Sequence, residues 1–268
     1  MIRLDHVCRR YRSRGLATVV ADDICATFPS GVAVALLGHN GAGKSSLLRM
    51  IAGTMRPDSG RIWSDGTISW PVGFAGSFHG DLTGAQNVRF VARIYGVDTG
   101  ELEAYVRAFA DLGPHFDRPF NGYSAGMRAR LAFGTSMGIL FDTYLIDEVT
   151  SVGDGDFRRR SDRVLQERLG QAGAVVVSHS MPMIRTLCRM GAVLHGGRLA
   201  MFEDLEEAIA THEDLLGIPR SRPTQASAAA VPLRPAASAP ASGPPASAAP
   251  SGPPAGARPV AAAPASAG

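Results

Sequence analysis

The chain has 268 residues, of which 45% are hydrophobic, and it carries a formal net charge of +3. A chain of this length can bury one good core with room for a small insertion, so we expect one main folded domain. The charge is uneven, because residues 218–268 hold four arginines and no acid, which leaves 23 basic and 24 acidic groups in residues 1–217. The folded part therefore lacks the basic footprint of a domain that binds duplex nucleic acid.

Neither a membrane-spanning segment nor a secretion signal is predicted. No apolar run approaches about 18 residues, and the N-terminal sequence MIRLDHVCRRYRSRG contains no apolar stretch. We therefore expect a protein that is made and kept in the cytosol. Cys8, Cys25 and Cys188 are scattered and lack CxxC spacing, so the sequence predicts neither a disulfide framework nor a zinc site.

The first motif along the chain is a phosphate-binding loop. The sequence GHNGAGKS at Gly38–Ser45 matches the pattern GxxxxGK[ST]. It lies between an apolar run at Val32–Leu37, which predicts a buried strand, and the helical apolar spacing of Ser45–Ala52. In such a loop the backbone N–H groups and the positive end of the following helix surround the phosphates of a nucleoside triphosphate.

Lys44 in this loop is the only lysine of the chain, and the other 26 basic residues are arginine. A compact ammonium on a flexible stem reaches the terminal phosphates, where a planar guanidinium does not fit. The next residue, Ser45, supplies a hydroxyl for Mg²⁺.

A second anion-binding element is predicted further along. Ser124 and small residues in Tyr123–Met127 (YSAGM) precede the helical periodicity of Arg128–Ser136. A serine that opens a helix again presents free N–H groups to an anion. Kinase-like and Ras-like phosphate-loop proteins lack this element.

Two further strands end on polar residues. The run at Phe141–Glu148 (FDTYLIDE) predicts a strand that delivers Asp147 to Mg²⁺ and Glu148 to the attacking water. The run at Ala174–Ser178 (AVVVS) predicts a strand that ends on His179. A histidine there can hydrogen-bond a γ-phosphate, although taken alone it is more often an ordinary loop histidine.

The composition changes near Pro219, beyond which the chain is rich in Ala, Pro, Ser and Gly and has no aromatic residue. Such a sequence cannot bury enough apolar surface to fold, so residues 218–268 are predicted to be a disordered, partly polyproline-like tail. Two roles stay open for it. It is either a tolerated extension, or its arginines associate weakly with an anionic membrane face.

Five motifs in chain order resemble the ATP-binding cassette (ABC) ATPases, whose signature usually reads LSGGQ. They are the phosphate loop, YSAGM, LIDE, SVGD and SHS, and the resemblance covers residues 1–217. The stretches Ile68–Gly96, Gly122–Gly134 and Ile146–Asp154 look like the ATPase subunit of capsular-polysaccharide exporters of Gram-negative bacteria.

The resemblance implies an α/β fold of the P-loop NTPase class. It has a RecA-like core, an antiparallel β part near the N-terminus and a helical subdomain inserted over about residues 78–138. It also implies ATP and Mg²⁺ as cofactors and a head-to-tail homodimer with ATP sandwiched between two subunits. That pair would dock under a separate membrane permease at the cytoplasmic face of the inner membrane and export polysaccharide.

The same resemblance assigns roles to individual residues. It implies three catalytic residues: Lys44, Glu148 as the catalytic base and His179 as the switch histidine. It also implies that Ser45 and Asp147 bind Mg²⁺. The nucleotide contacts that it implies are Tyr11, Gly38, His39, Asn40, Gly41, Ala42, Gly43, Lys44, Ser45, Ser46 and, from the signature and the D-loop at Ser151–Asp154, Ser124, Ala125, Gly126 and Asp154. Tyr11 would stack on adenine, but a lone tyrosine beside arginines can also be a plain surface residue.

One departure from the family pattern concerns the glutamine that touches Mg²⁺ and the membrane partner. The corresponding stretch, Gly73–Asp81, contains no glutamine, and Gln86 lies too far along, in a run that opens a helix. Ser77 and His79 are the polar candidates in that stretch, and neither can be assigned the role.

Two other functions were weighed. A non-transport cassette in DNA repair, chromosome organisation or translation needs long coiled coils or two cassettes in one chain, and this sequence has neither. Export of lipid-linked O-antigen or teichoic acid is the alternative within transporters. Some O-antigen ATPases carry a folded carbohydrate-binding domain after the cassette, and the Ala/Pro-rich tail is not one.

Overall fold

The computed structural model describes residues 1–13, 16–73, 76, 78–147, 155–217 and 258–259. The strands in these ranges are β1 (Ile2–Ser13), β2 (Leu16–Phe28), β3 (Ala33–Leu37), β4 (Ser59–Ser64), β5 (Ile68–Pro71), β6 (Thr143–Asp147), β7 (Gly173–Val177), β8 (Met190–His195), β9 (Arg198–Phe202) and β10 (Arg258–Pro259). The helices are α1 (Lys44–Ile51), α2 (Gly84–Tyr95), α3 (Thr99–Ala110), α4 (Ala125–Gly138), α5 (Gly155–Leu169), α6 (Met181–Leu187) and α7 (Leu205–Leu215), with 3₁₀-helices at Gly113–Asp117 and Phe120–Gly122.

The larger sheet has six strands in the order β5-β6-β7-β3-β8-β9, all parallel except β9. Its central strands are short, apolar and buried on both faces, as the sequence predicted for Val32–Leu37, Phe141–Glu148 and Ala174–Ser178. The predicted helix at Ser45–Ala52 is α1, which follows β3 directly.

Two hydrophobic cores lie on opposite faces of this sheet, and the alternation of side chains along a strand divides residues between them. Ala35 and Leu37 of β3 join the core under the helices. Val34 and Leu36 join the core against the antiparallel sheet and α1. The sheet is therefore a middle layer, and its strand ends are where polar side chains can emerge.

The helical part consists of α2, α3, the two 3₁₀-helices and α4, all between β5 and β6. α2 begins with a reciprocal cap, in which Thr83 Oγ1 accepts from Gln86 N at 3.1 Å and Gln86 Oε1 accepts from Thr83 N at 2.8 Å. Gly96 ends the helix in the left-handed conformation. Within the described ranges, no helix is both long and apolar enough to cross a bilayer.

The smaller sheet is antiparallel, with the strand order β10-β4-β1-β2. β10 consists of Arg258 and Pro259, which pair with Ser64 and Trp63 at the outer edge of β4. This pairing lies inside the segment predicted to be an unstructured tail, and an edge position tolerates a proline because the missing N–H would face away from the sheet. The rest of residues 218–268 lies outside the described ranges.

Candidate nucleotide-binding site

Three predicted parts of the site, Asp147, His179 and the phosphate loop, lie at the carboxyl ends of neighbouring strands of the six-stranded sheet. β6, β7 and β3 are parallel neighbours in that order. Asp147 is the last residue of β6, His179 follows β7, and the phosphate loop follows β3. The strand order therefore places the exposed His179 between the acidic residue and the loop, at the carboxyl ends where open α/β sheets bind their ligands.

The phosphate loop leaves the start of α1 open to an anion. The N-cap of α1 is Gly43, and no side chain among the described residues caps this helix. Gly43 has φ 104°, and a Cβ atom there would lie 2.6 Å from Val20 Cγ1 of β2. Only glycine fits this turn, and the N–H groups of the first helical turn, which no described side chain caps, are available to an anion.

Lys44 lies over the loop that precedes it. Its Nζ atom donates to the carbonyl oxygen of Gly38 at 2.6 Å and to that of His39 at 3.1 Å. These contacts hold the ammonium over the backbone of the loop. The phosphate-binding role of Lys44 stays a prediction.

Ser45 and Asp147 come together although 102 residues separate them in the sequence. The hydroxyl of Ser45 donates to Asp147 Oδ1 at 3.3 Å. A hydroxyl and a carboxylate are hard oxygen ligands of the kind that Mg²⁺ prefers. The predicted metal pair is thus assembled, and its chemistry fits the ion.

Tyr11 reaches the phosphate loop from β1. Its hydroxyl lies 3.5 Å from Ser46 Oγ and 3.1 Å from Met55 Sδ, and 37% of the residue is exposed. The guanidinium of Arg9 lies over the ring, 5.0 Å from its centroid. Tyr11 therefore lies beside the start of α1, and its stacking on adenine stays a prediction.

Known proteins resemble this chain along most of its length. A family model described as ABC transporter matches residues 21–151. The polysialic acid transport ATP-binding protein KpsT of Escherichia coli is 43% identical over 212 residues, which are 78% of this chain and 95% of that protein. The capsule polysaccharide export ATP-binding protein CtrD of Neisseria meningitidis serogroup B is 40% identical over 215 residues, 80% of this chain and 100% of that protein.

The chain belongs to the ABC transporter ATP-binding family. Its fold also matches a solved dimeric ATP-binding cassette, MJ0796, in a post-hydrolysis state bound to ADP and Pi. That match has a TM-score of 0.64 at 19% identity and covers 76% of this chain and 99% of the cassette. The predicted fold class, a cassette with an antiparallel sheet and an inserted helical part, is confirmed.

The segment predicted to be the signature, Ser124–Gly126, lies at the start of α4. Ser124 is the N-cap, and its hydroxyl accepts from Met127 N at 3.3 Å. Ser124, Ala125 and Gly126 are all exposed, while Tyr123 beside them is buried and donates to the carbonyl of His115 at 2.7 Å. A buried tyrosine thus anchors an exposed segment.

Two histidines that sequence reasoning missed also approach the phosphate loop. The ring of His195, at the end of β8, lies edge-on to that of His39, with 6.0 Å between centroids. His212 of α7 is half-buried, and its pKa is lowered by burial and by the positive charge of Lys44. No local pattern indicates them, because the pairing of β8 with β3 places His195, and His212 lies on α7, which packs against both strands.

The segment that lacks the family glutamine is organised around Asn87. This side chain is buried at 1% exposure, accepts from His79 N at 2.8 Å and donates to the His79 carbonyl at 3.0 Å. The side chain of Gln86 is occupied in the cap of α2. Ser77 lies outside the described residues.

Several predicted residues fall in a part of the chain that the structure does not describe. They are Glu148 and the D-loop residues Ser151–Asp154, which include Asp154. Their roles stay predictions. Asp147 and Gly155, which flank this part, are placed at the end of β6 and the start of α5.

Proposed function

We propose that this ABC protein is the ATP-hydrolysing subunit of a transporter that exports capsular polysaccharide. The observation that carries the proposal is the pair Ser45 and Asp147, joined at 3.3 Å beside the phosphate loop. The cargo is supported by the 43% and 40% identity to KpsT and CtrD. Matching relatives named for teichoic acids or O-antigen export are 30–34% identical.

The reaction is an in-line attack of water on the γ-phosphorus, which breaks the bond to the β-phosphate oxygen as the new P–O bond forms. Lys44 and the open N–H groups of α1 offset the negative charge that spreads over the phosphate oxygens. Ser45 and Asp147 would hold Mg²⁺, which when bound would supply further positive charge to the phosphate group.

Glu148 takes the proton of the attacking water in this proposal. It follows Asp147 directly, at the end of the strand that delivers the metal ligand. His179, from the neighbouring strand end, hydrogen-bonds the γ-phosphate and keeps the water and the glutamate in line.

Two copies complete each site. The exposed Ser124–Gly126 segment of one copy faces the ATP held by the phosphate loop of the other, with its helix N-terminus toward the γ-phosphate. Asp154 contacts the partner copy through the D-loop. ATP therefore favours the closed pair, and hydrolysis releases it.

The permease docks on the helical part. Phe90 and Ile94 of α2 are 49% and 47% exposed, and they lie on one helical face because they are four residues apart. An exposed apolar pair of this kind is typical of an interaction surface. Binding there places the protein at the cytoplasmic face of the inner membrane.

The decisive test is Glu148→Gln in the purified full-length chain. ATP binding should persist while turnover falls about 10²- to 10⁴-fold, because an amide cannot accept the proton. The variant should elute as a dimer in the presence of Mg·ATP. Glu167→Gln, the same change on an exposed glutamate of α5, is the matched control and should hydrolyse ATP as the wild type does.

The cargo is tested separately in the source bacterium. A strain lacking the gene should lose surface capsule and regain it with the wild-type gene but not with Glu148→Gln. Wild-type turnover by Glu148→Gln would disprove the base assignment. Normal capsule in the deletion strain would disprove the cargo and leave the ATPase assignment intact.

A further inference from the structure

Strands β1 and β2 are irregular at three consecutive points of their pairing, and polar residues lie at the first two. Leu4 pairs with Ala26 and Val7 with Ile24, so Asp5 and His6 together lie opposite Cys25 alone. The next regular pair is Arg9 with Ala21, so Asp22 and Asp23 lie opposite Cys8. Each is a β-bulge, in which two residues of one strand face one residue of the other.

The backbone at these bulges is unusual for the residues that form it. His6 has φ 51° and Asp23 has φ 57°, and both angles lie in the left-handed region that residues other than glycine rarely adopt. The two extra residues face each other, with His6 Nδ1 at 2.7 Å from Asp23 Oδ1. Bulges re-aim side chains, and here they direct polar ones to a common surface.

The third strand is shaped to accommodate the first bulge. Gly60 of β4 has φ 83°, and a Cβ atom there would lie 2.2 Å from the carbonyl oxygen of His6 and 2.6 Å from that of Asp5. No side chain fits between the strands at this point. The bulge is therefore built into three strands and does not depend on one side-chain rotamer.

The bulge gathers three different metal-binding groups. The ligand atoms of Asp5, His6 and Cys25 all lie within 4.8 Å of one another. His6 N also donates to Cys25 Sγ at 3.3 Å, which holds the thiol beside the imidazole. Cys25 is exposed, and the His6 side chain is 69% exposed, so an ion can reach the cluster from solvent.

We propose that Asp5, His6 and Cys25 form a binding site for a divalent cation of the zinc class. A thiolate, an imidazole and a carboxylate form the donor set that zinc and cobalt accept, whereas Mg²⁺ and Ca²⁺ prefer oxygen alone. Three protein ligands leave a fourth position for water. Asp23 acts as the outer carboxylate that orients the imidazole.

Occupation of the site ties β1 to β2 in the antiparallel sheet. Binding requires the thiolate of Cys25 and the neutral imidazole of His6, so it releases protons. Because the ion binds the folded bulge and the bulge does not exist in the unfolded chain, the metal raises the thermal stability of the protein.

Cobalt titration of the metal-free, untagged full-length chain, in excess Mg²⁺, tests the proposal. A thiolate-to-cobalt charge-transfer band should rise to one ion per chain and disappear when Zn²⁺ is added. A site at Ser45 and Asp147 has only oxygen ligands and cannot produce this band.

Four variants sharpen the titration. Cys25→Ser should abolish the band, and Asp5→Asn should weaken cobalt binding. His6→Asn should also weaken it, and asparagine is chosen because it tolerates the left-handed backbone angle of His6. Asp23→Asn should weaken binding about 10- to 100-fold, the usual effect of losing an outer carboxylate. Cys8→Ser is the matched control, because Cys8 lies on β1 beside the second bulge and outside the cluster, and it should leave the band unchanged.

A measurement on the unaltered protein covers the case in which a variant fails to fold. Alkylation of each cysteine is followed by peptide mass spectrometry with and without Zn²⁺. Zn²⁺ should slow the alkylation of Cys25 more than tenfold and leave that of Cys8 unchanged. Equal alkylation of Cys25 in both conditions, a wild type without the band, or a band that survives Cys25→Ser would each overturn the proposal.

Discussion

The six-stranded and the four-stranded sheets differ in where regular strand geometry is broken. The pairing of β7 with β3 and with β6 runs without a shift, and the polar groups lie at or just after the last strand residue. In β1 and β2 the pairing shifts three times inside the strands, and polar groups collect there. A sheet buried on both faces can offer chemistry only at its ends, whereas a sheet with one open face can offer it at a bulge.

The largest effect should come from the strand ends of the buried sheet. Lys44→Arg keeps the charge but not the geometry, so turnover should fall about 100-fold or more, as in Lys44→Ala. Thermal stability should change little, because Lys44 lies beyond the last residue of β3. Steady-state ATPase assays and melting curves measure both. A Lys44→Arg variant as active as the wild type would show that charge alone matters there.

A substitution inside the four-stranded sheet should instead lower the thermodynamic stability of the protein. Gly60→Ala should lower the free energy of unfolding by about 3 kcal/mol or more, because the added Cβ would lie 2.2 Å from a backbone oxygen. Gly31→Ala is the matched control, since Gly31 has φ 69° but no atom within 4 Å of the added Cβ. Gly31→Ala should lower the free energy of unfolding by only about 1–2 kcal/mol, because alanine is strained in the left-handed backbone conformation. Urea unfolding compares the two, and equal losses would contradict the close approach of β4 to the bulge.

Tyr11 links the two sheets. It lies on β1 of the four-stranded sheet, and its side chain reaches Ser46, just after the phosphate loop that follows β3 of the six-stranded sheet. Tyr11→Leu should weaken ATP binding about three- to tenfold, the range expected from loss of a stacking aromatic ring. Tyr11→Phe keeps the ring and removes the hydroxyl that contacts Met55, so it should bind ATP nearly as the wild type does. Isothermal titration measures both affinities. Unchanged affinity in Tyr11→Leu would rule out stacking on adenine.

The smallest effect concerns His212 on α7. Because burial and Lys44 lower its pKa in the folded protein, the unfolded chain binds the proton more tightly. Wild-type stability should therefore fall as the pH decreases from about 6.5 toward that lowered pKa. His212→Gln should flatten this dependence by a few degrees in melting temperature at most. If the melting temperatures of the two proteins changed with pH in parallel, the lowered pKa of His212 would not be the cause of the pH dependence.

Sequence patterns predicted the parts of the molecule whose signals are local. The loop at Gly38–Ser45, helix α1 and the apolar strands β3, β6 and β7 were predicted to within a residue or two. Each depends on neighbours along the chain, such as a glycine-lysine pattern or a short apolar run.

The sequence predicts no zinc site, because its cysteines lack CxxC spacing, and so it does not indicate the cluster of Asp5, His6 and Cys25. A signal was present, because the buried residues Leu4 and Val7 are three apart and break the two-residue alternation of a strand. Such a break indicates a bulge, although it does not say which side chains meet. The approach of His195 and His212 to the phosphate loop had no signal in the sequence.

The position of β3 between β7 and β8 also determines when the site can form during synthesis. β3 ends at Leu37, but its two neighbours begin at Gly173 and Met190, more than 130 residues later. A nascent chain shorter than this has no partner for the edges of β3, and such non-local pairing forms slowly. The phosphate loop is translated early, yet ATP can stabilise the fold only after most of residues 1–217 has left the ribosome.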